Sequence, residues 1–306
     1  MTPLHSALED YLTIRRALGH KLQRAGKLLS EFVDYVEAEP NHRVTIELAL
    51  AWATLPSTGS TSWWAIRLSA VRGFATYLHA LEPTSEVPPT SLLPTRYHRA
   101  VPYLYSDEDI IGLMGAAETL GSPLRVLTYR TLIGLLATTG MRVGEALQLD
   151  RTDLDYEHGL LTVRVGKFGK SRELPLHAST SDALRAYLNQ RDRLLPKVPA
   201  MFISRSGARL RYGNVNWTIR CLVRRAGIKP RSNACRPRLH DLRHSFAVRT
   251  VIDAYRTDTD VAARLPVLST YLGHVDPANT YWYLSAAPEL LGLAGERLER
   301  SLESPS

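Results

Sequence analysis

The chain has 306 residues, enough for two domains of ordinary size, and its 44% hydrophobic and 22% charged content is that of a soluble globular protein. A net charge of +8 points to a polyanionic partner. Cys221 and Cys235, with no CxxC spacing, exclude a zinc ribbon and a disulfide framework; no secretory leader pattern and no membrane-length apolar run is visible, so a cytoplasmic protein is expected.

Residues 1 to about 83 read as helices only. In "STSWWAIRLSAVRGFATYLHALE", Trp64, Leu68, Val71, Ala75 and Leu78 recur at steps of four and three, one face of a helix, with Ser60, Thr61 and Ser62 as possible N-caps. The segments "ALEDYLTIRRAL", "AGKLLSEFVDYVEAE" and "TIELALAWATL" are similarly amphipathic, which makes a four-helix domain over 1–83. Five prolines in "EPTSEVPPTSLLPTRYHRAVPYL" then block helix continuation and predict an extended linker over 84–104.

A second domain is expected over 105–306. "LRVLTYRTLIGLLATTG" is apolar nearly all round, a buried helix that ends at Gly140 in a left-handed cap. "GLLTVRVGKFGKSRELPL" alternates: Leu161, Val163 and Val165 share one side of a strand, Leu174 and Leu176 one side of its partner, and "GKFGKS" turns between them. Helices follow near 179–194, 212–226, 240–254, 262–272 and 287–300. The fold class is therefore mainly α with a small antiparallel β-sheet.

Charge is concentrated in this domain. Residues 201–250 hold twelve Lys or Arg against one acid, Asp241, where a solvated face normally mixes signs. Candidates for phosphate contact in that block are Arg209, Arg211, Arg220, Arg224, Arg236 and Arg238; Lys170 in the hairpin and Arg67 and Arg72 in the first domain join them.

Four fragments carry polar residues that packing does not require. In "TTGMRVGEALQL", Arg142 follows a helix cap and Glu145 lies three residues on; alone, this is an ordinary helix-end ion pair. Lys167 sits at the hairpin tip, where lysines are common solubility devices. In "LHDLRHSFAVRT", His240 and Arg243 share a helical face, away from Leu239, Leu242 and Phe246. In "YLGHVDPANTYWY", His274 closes a helix and Tyr283 lies nine residues beyond. There is no carboxylate cluster for a metal, no GxxxxGK loop and no GxSxG elbow.

What remains suits attack on a phosphodiester with no cofactor. Two guanidiniums match the non-bridging oxygens, whose charge grows in the transition state. A tyrosine, with a reference pKa of about 10, needs a base such as histidine to attack, and lysine is protonated at neutral pH and can donate to a leaving alkoxide.

Together, "TTGMRVGEALQL", "GKFGKSRELPL", "HDLRHSFA" and "LGHVDPANTYWY" resemble the tyrosine recombinases, the DNA breaking-and-joining family of phage integrases, Cre and the Xer proteins. The family's Arg in "TGxRxxEL", hairpin Lys, "HxxR", "LGH" and Tyr nine residues on all occur in order over about 105–300. The helical first domain resembles the family's core-binding domain in kind and size. The resemblance implies that Arg142 and Arg243 bind the scissile phosphate with Glu145 bracing Arg142. It makes Lys167 the general acid, with Lys170 as competitor, and His240 the base. His274 becomes a phosphate ligand and Tyr283 the nucleophile of a 3′-phosphotyrosyl intermediate, with Tyr281 as competitor. No metal is implied.

The partners implied are double-stranded DNA bearing a recombination site, further copies of the chain in a tetramer on DNA, and other recombinases or accessory DNA-bending proteins. No membrane is implied, and the location is the nucleoid. The stretch from Arg243 to His274 is longer than in compact Xer-like members, and "VAARLPVLSTYLGH" is similar in style to recombinases of transposons and other mobile elements. "APELLGLAGERLERSLE" reads as an amphipathic helix that docks either on its own domain or on a neighbouring protomer. Two other functions use the same features: a type IB topoisomerase, with nearly the same phosphate chemistry, and a DNA-binding regulator that has kept the fold without the reaction.

Overall fold

A computed structural model of the chain describes residues 2–57, 59–94, 101–164, 171–195, 198–257, 260–274, 276, 280, 289–290, 292–293, 295–296 and 299. The chain divides into two compact units, Met1–Arg99 and Ala100–Ser306. Among the described residues no helix is long and apolar enough to cross a membrane.

The first unit carries helices α1 (Pro3–Ala17), α2 (Gln23–Glu37), α3 (Ile46–Thr54) and α4 (Thr61–Leu81). Hydroxyls of Thr2, Thr45 and Ser60 accept the amides of His5, Leu48 and Trp63, so Ser60 is the cap in use among the three predicted for α4. The expected α4 stripe is buried at Leu68, Val71, Ala75 and Leu78, joined by Phe74. It meets Leu29, Phe32 and Val33 of α2 and Trp52 of α3 in one apolar core. Each such side chain contributes about 1.5–3 kcal/mol when fully buried.

The proline-rich segment is divided between the two units. Glu86 N donates to Val44 O at 3.0 Å, and Val87, Leu92 and Leu93 pack against the first core. Tyr103 and Tyr105 are buried in the second core. Proline stops helices, but the residues between prolines still have apolar surface to bury.

The second unit begins with α5 (Asp107–Ala116), closed by a reciprocal Ser106–Asp109 capping box, a helix the sequence reading had not separated. There follow α6 (Pro123–Thr139) and the short α7 (Val143–Gln148). Strands β1 (Leu154–Asp155), β2 (Leu160–Val163) and β3 (Arg172–Pro175) form an antiparallel sheet in chain order. Helices α8 (Ala178–Leu194), α9 (Tyr212–Arg225), α10 (Asp241–Arg256) and α11 (Val261–Leu272) complete the unit. In the β2–β3 register Leu161 faces Leu174 and Val163 faces Arg172. Leu161, Val163 and Leu174 are buried in a core shared with Leu132 and Leu136 of α6, Leu184 of α8 and Ile219 of α9. The expected helix over 287–300 lies mostly outside the described residues. Leu290 is buried among the α10 and α11 side chains of its own chain, and Glu289 pairs with Arg256 at 2.8 Å.

Gly140 caps α6 with φ +58°, as the sequence predicts. A Cβ there would lie 2.8 Å from Cγ of Phe246, whose ring stacks on Tyr271. Gly140→Ala therefore combines left-handed strain, about 1–2 kcal/mol, with displacement of an aromatic pair. We expect a loss of more than about 2 kcal/mol in denaturant unfolding; an unchanged midpoint contradicts this account.

Candidate active site

Four helix ends converge around the predicted arginines. Arg142 is the N-cap of α7, two residues beyond the Gly140 cap. Glu145 returns to it as predicted: its carboxylate accepts the Arg142 amide at 2.9 Å and the Arg142 Nη1 at 2.8 Å. Nη2 of Arg142 donates to Gly273 O at 2.9 Å, the residue before His274.

Arg243 lies on the first turn of α10 and is only 2% exposed. Its Nη1 donates to Gly140 O (2.9 Å) and its Nη2 to Leu272 O (2.7 Å). These carbonyls belong to the C-terminal ends of α6 and α11, where orphan acceptors and the negative ends of the helix dipoles meet a cation favourably. The two arginines, far apart in sequence, thus meet at the end of α11, and Arg243 also holds the end of α6.

The histidines sit beside them. His240 is exposed, immediately ahead of α10, with its ring edge-on to that of His244 at 4.8 Å. Arg243 N donates to His240 O at 3.1 Å, which holds the two in one turn. Below this turn, fully buried Asp241 accepts Nε (3.0 Å) and Nη2 (2.7 Å) of Arg238. Burial pushes the Asp241 carboxyl up, and Arg238 opposes that shift. His274 follows the left-handed cap Gly273, and its Nδ1 lies 2.7 Å from the hydroxyl of buried Thr280.

Lys167, Lys170, Tyr281 and Tyr283 lie outside the described residues. Tyr271 is a packing residue: burial pushes its phenol up, against the opposing charge of Arg172, and the ring stacks on Phe246 at 5.7 Å.

The candidate DNA contacts separate into two groups. Arg67 is 6% exposed, packs over the Trp52 ring at 3.6 Å and donates to Trp52 O at 2.7 Å. Arg72 donates to the carbonyls of Pro88 and Pro89. Arg209 donates to Leu147 O and Leu149 O, both at 2.9 Å, and pairs with Asp150; Arg238 grips Asp241. These four staple the fold. Arg211, Arg220, Arg224 and Arg236 are exposed, and so are Tyr212 and Trp217 on α9.

One residue escaped the sequence reading. Arg172, the first residue of β3, places Nη2 2.7 Å and Nη1 3.1 Å from the two Glu145 oxygens, and Nε donates to Tyr271 O at 2.9 Å. The signal was available: two-residue alternation puts Arg172 on the side of buried Leu174, and a cation on an inward face needs a partner.

Burial alone raises the Glu145 carboxyl, but the hydrogen bonds and charge of Arg172, followed by those of Arg142, outweigh it and hold it at about 2 against the ordinary 4.5. Because the folded value is depressed, the stabilisation is fully present above pH 4.5 and disappears as pH falls through about 2. It is on the order of 3 kcal/mol. In Glu145→Gln the unfolding midpoint at pH 7 should fall, and stability should depend less on pH over that window. Parallel pH–stability curves for the two proteins would contradict the assignment.

Residues 105–289 match the family model described as the phage integrase family. The chain belongs to that family. The integrase/recombinase y4rB of Sinorhizobium fredii, so assigned by name only, is 44% identical across 99% of each chain. The tyrosine recombinase XerC of Pseudomonas aeruginosa PAO1 is 33% identical over 92% of this chain and 88% of its own. A lambda integrase tetramer solved on a Holliday junction shares the fold, with a TM-score of 0.61 at 19% identity over 92% of this chain and 76% of the other. The protein is a site-specific tyrosine recombinase, an enzyme that cleaves and rejoins DNA. Of the three functions open at the level of motifs, these relatives carry the recombinase.

Proposed function

We propose that this recombinase cuts DNA with Tyr283 as nucleophile. Its phenolic oxygen attacks the scissile phosphorus, the P–O5′ bond breaks, and a 3′-phosphotyrosyl ester forms. His240 takes the phenol proton and Lys167 protonates the departing 5′ oxygen. Arg142 and Arg243 hold the non-bridging oxygens, and His274 adds a further hydrogen bond. The ester keeps the energy of the broken bond for rejoining, so ATP has no part in the reaction.

The observation that carries this is the meeting of Arg142 and Arg243 on the end of α11, with Arg243 also bonded to the end of α6. Cations fixed in advance need no reorganisation when charge develops on the phosphate. Lys167 is assigned from its motif; in the described part of the sheet Arg172, the partner of Val163, reaches Glu145.

The four-helix unit is the second DNA-binding element, and exposed Arg211, Arg220, Arg224 and Arg236 meet phosphates along the catalytic unit. Four copies act on two duplexes and exchange strands through a four-way junction, an assembly like the one solved for lambda integrase. The enzyme works where the chromosome is, in the nucleoid.

Covalent capture tests this proposal. Protein is mixed in EDTA with fragmented host DNA that includes the flanks of its own gene, denatured in detergent, and the bound DNA is sequenced. Adducts at one sequence, absent from Tyr283→Phe, are expected. Adducts in both proteins would remove Tyr283 as nucleophile, and a strict metal requirement would remove the mechanism.

A further inference from the structure

We infer that Arg172 is a positioning residue for the phosphate clamp, and that it keeps Arg142 effective as a cation by sharing Glu145 with it. The inference rests on the role of Arg142 proposed above.

Glu145 is nearly buried and takes four hydrogen bonds, from the Arg142 amide, Arg142 Nη1, and Arg172 Nη1 and Nη2. A carboxylate is useful there because it orients Arg142, but a lone Arg142–Glu145 pair is electrically neutral. Such a pair offers a phosphate little net charge. With Arg172 on the other side of the carboxylate, two guanidiniums share one negative charge and the triad is net +1. Orientation of Arg142 and positive potential are then both retained. The division of donors fits this role: Arg172 takes Glu145 with both terminal nitrogens, whereas the Arg142 guanidinium gives it Nη1 alone.

The third donor of Arg172 reaches another element. Nε bonds Tyr271 O in the last turn of α11. The guanidinium lies against Gly273, where a Cβ would stand 3.0 Å from Nη1 and 3.2 Å from Cζ, on a backbone at φ +67°. Gly273 O in turn accepts Nη2 of Arg142. One planar group thus sets β3, α7 and the turn leading to His274 against each other. A lysine ammonium, a single point of donation, cannot span Tyr271 O and both carboxylate oxygens.

The test is a cycle of Arg172→Met, Glu145→Gln and the double variant, with Arg172→Lys alongside. The methionine keeps the stem and removes the charge and the fork. The substrate is a nicked duplex carrying the sequence recovered by covalent capture, and single-turnover adduct formation is read at saturating protein. Arg172→Met should slow cleavage about 10²-fold with DNA affinity unchanged. Adding Glu145→Gln should recover on the order of tenfold, because a neutral amide no longer offsets Arg142. Arg172→Lys should fall between Arg172→Met and the unmodified protein.

A double variant no faster than Arg172→Met overturns the charge-sharing role, and unimpaired cleavage by Arg172→Met overturns the assignment altogether. If Arg172→Met does not fold, Arg172→Lys decides: cleavage equal to the unmodified protein shows that the fork is dispensable. Adduct formation by the unmodified protein separates the two levels, since its absence sinks the proposed role of Arg142. Unfolding midpoints of the same proteins, measured without DNA, read the Arg172–Glu145 coupling independently, and additive losses would overturn the inference in that case too.

Discussion

In Tyr283→Phe, covalent adducts with DNA should fall below detection while DNA affinity stays essentially unchanged. The substitution removes one oxygen, and that oxygen is the only atom of the residue able to bond phosphorus. The ring, and whatever it packs against, is retained. With a reference pKa of about 10, a tyrosine at neutral pH attacks only where a base accepts its proton and cations accept the charge it delivers. Tyr271 is set apart from that role by its partial burial and its stacking on Phe246. Tyr281 is the remaining competitor, so Tyr281→Phe belongs in the same experiment and should cleave normally. Adducts lost in Tyr281→Phe and kept in Tyr283→Phe would move the nucleophile two residues toward the N-terminus.

Arg243→Ala is expected to slow cleavage on the order of 10²-fold or more, as for removal of a preorganised transition-state donor. Its effect on the fold should exceed that of Arg142→Ala. Arg243 is 2% exposed and bridges Gly140 O to Leu272 O, so truncation leaves two helix-end carbonyls without this donor and opens space in the interior. A stability loss of about 2–4 kcal/mol is expected from such a change. The Arg142 side chain is 23% exposed, and solvent can replace part of what it provides. Rates must therefore be compared at a temperature where circular dichroism shows both variants folded. Arg243→Lys should not restore cleavage, since an ammonium lacks the fork that spans both carbonyls. Cleavage within tenfold of the unmodified protein, in a folded Arg243→Ala, would dismiss Arg243 from the clamp.

Local periodicity carried most of the architecture. The steps of four and three in α4, the alternation of Leu161 and Val163 against Leu174, and the glycine ending α6 each reflect one short-range rule, and each is present in the structure. The short helix α7 and the two-residue β1 were not separated, because so few residues give too little pattern to count; α5 was legible only through its Ser106–Asp109 capping box. The family was legible for a different reason: phosphate chemistry needs particular side chains, and their order along the chain survives in motifs such as "TGMRVGE" and "HDLRH".

Sequence by itself thus determined the two-part helical organisation, the fold class and the family. Tertiary structure alone decided what each cation touches. Arg243 meets carbonyls 103 and 29 residues away, and Arg172 meets a carboxylate 27 residues away. Arg67 and Arg209 look in one dimension like any surface arginine, yet they staple the interior through backbone oxygens. Every residue carries a carbonyl, so no sequence pattern marks the few that accept from a given arginine. That choice is made only when packing brings distant helix ends together.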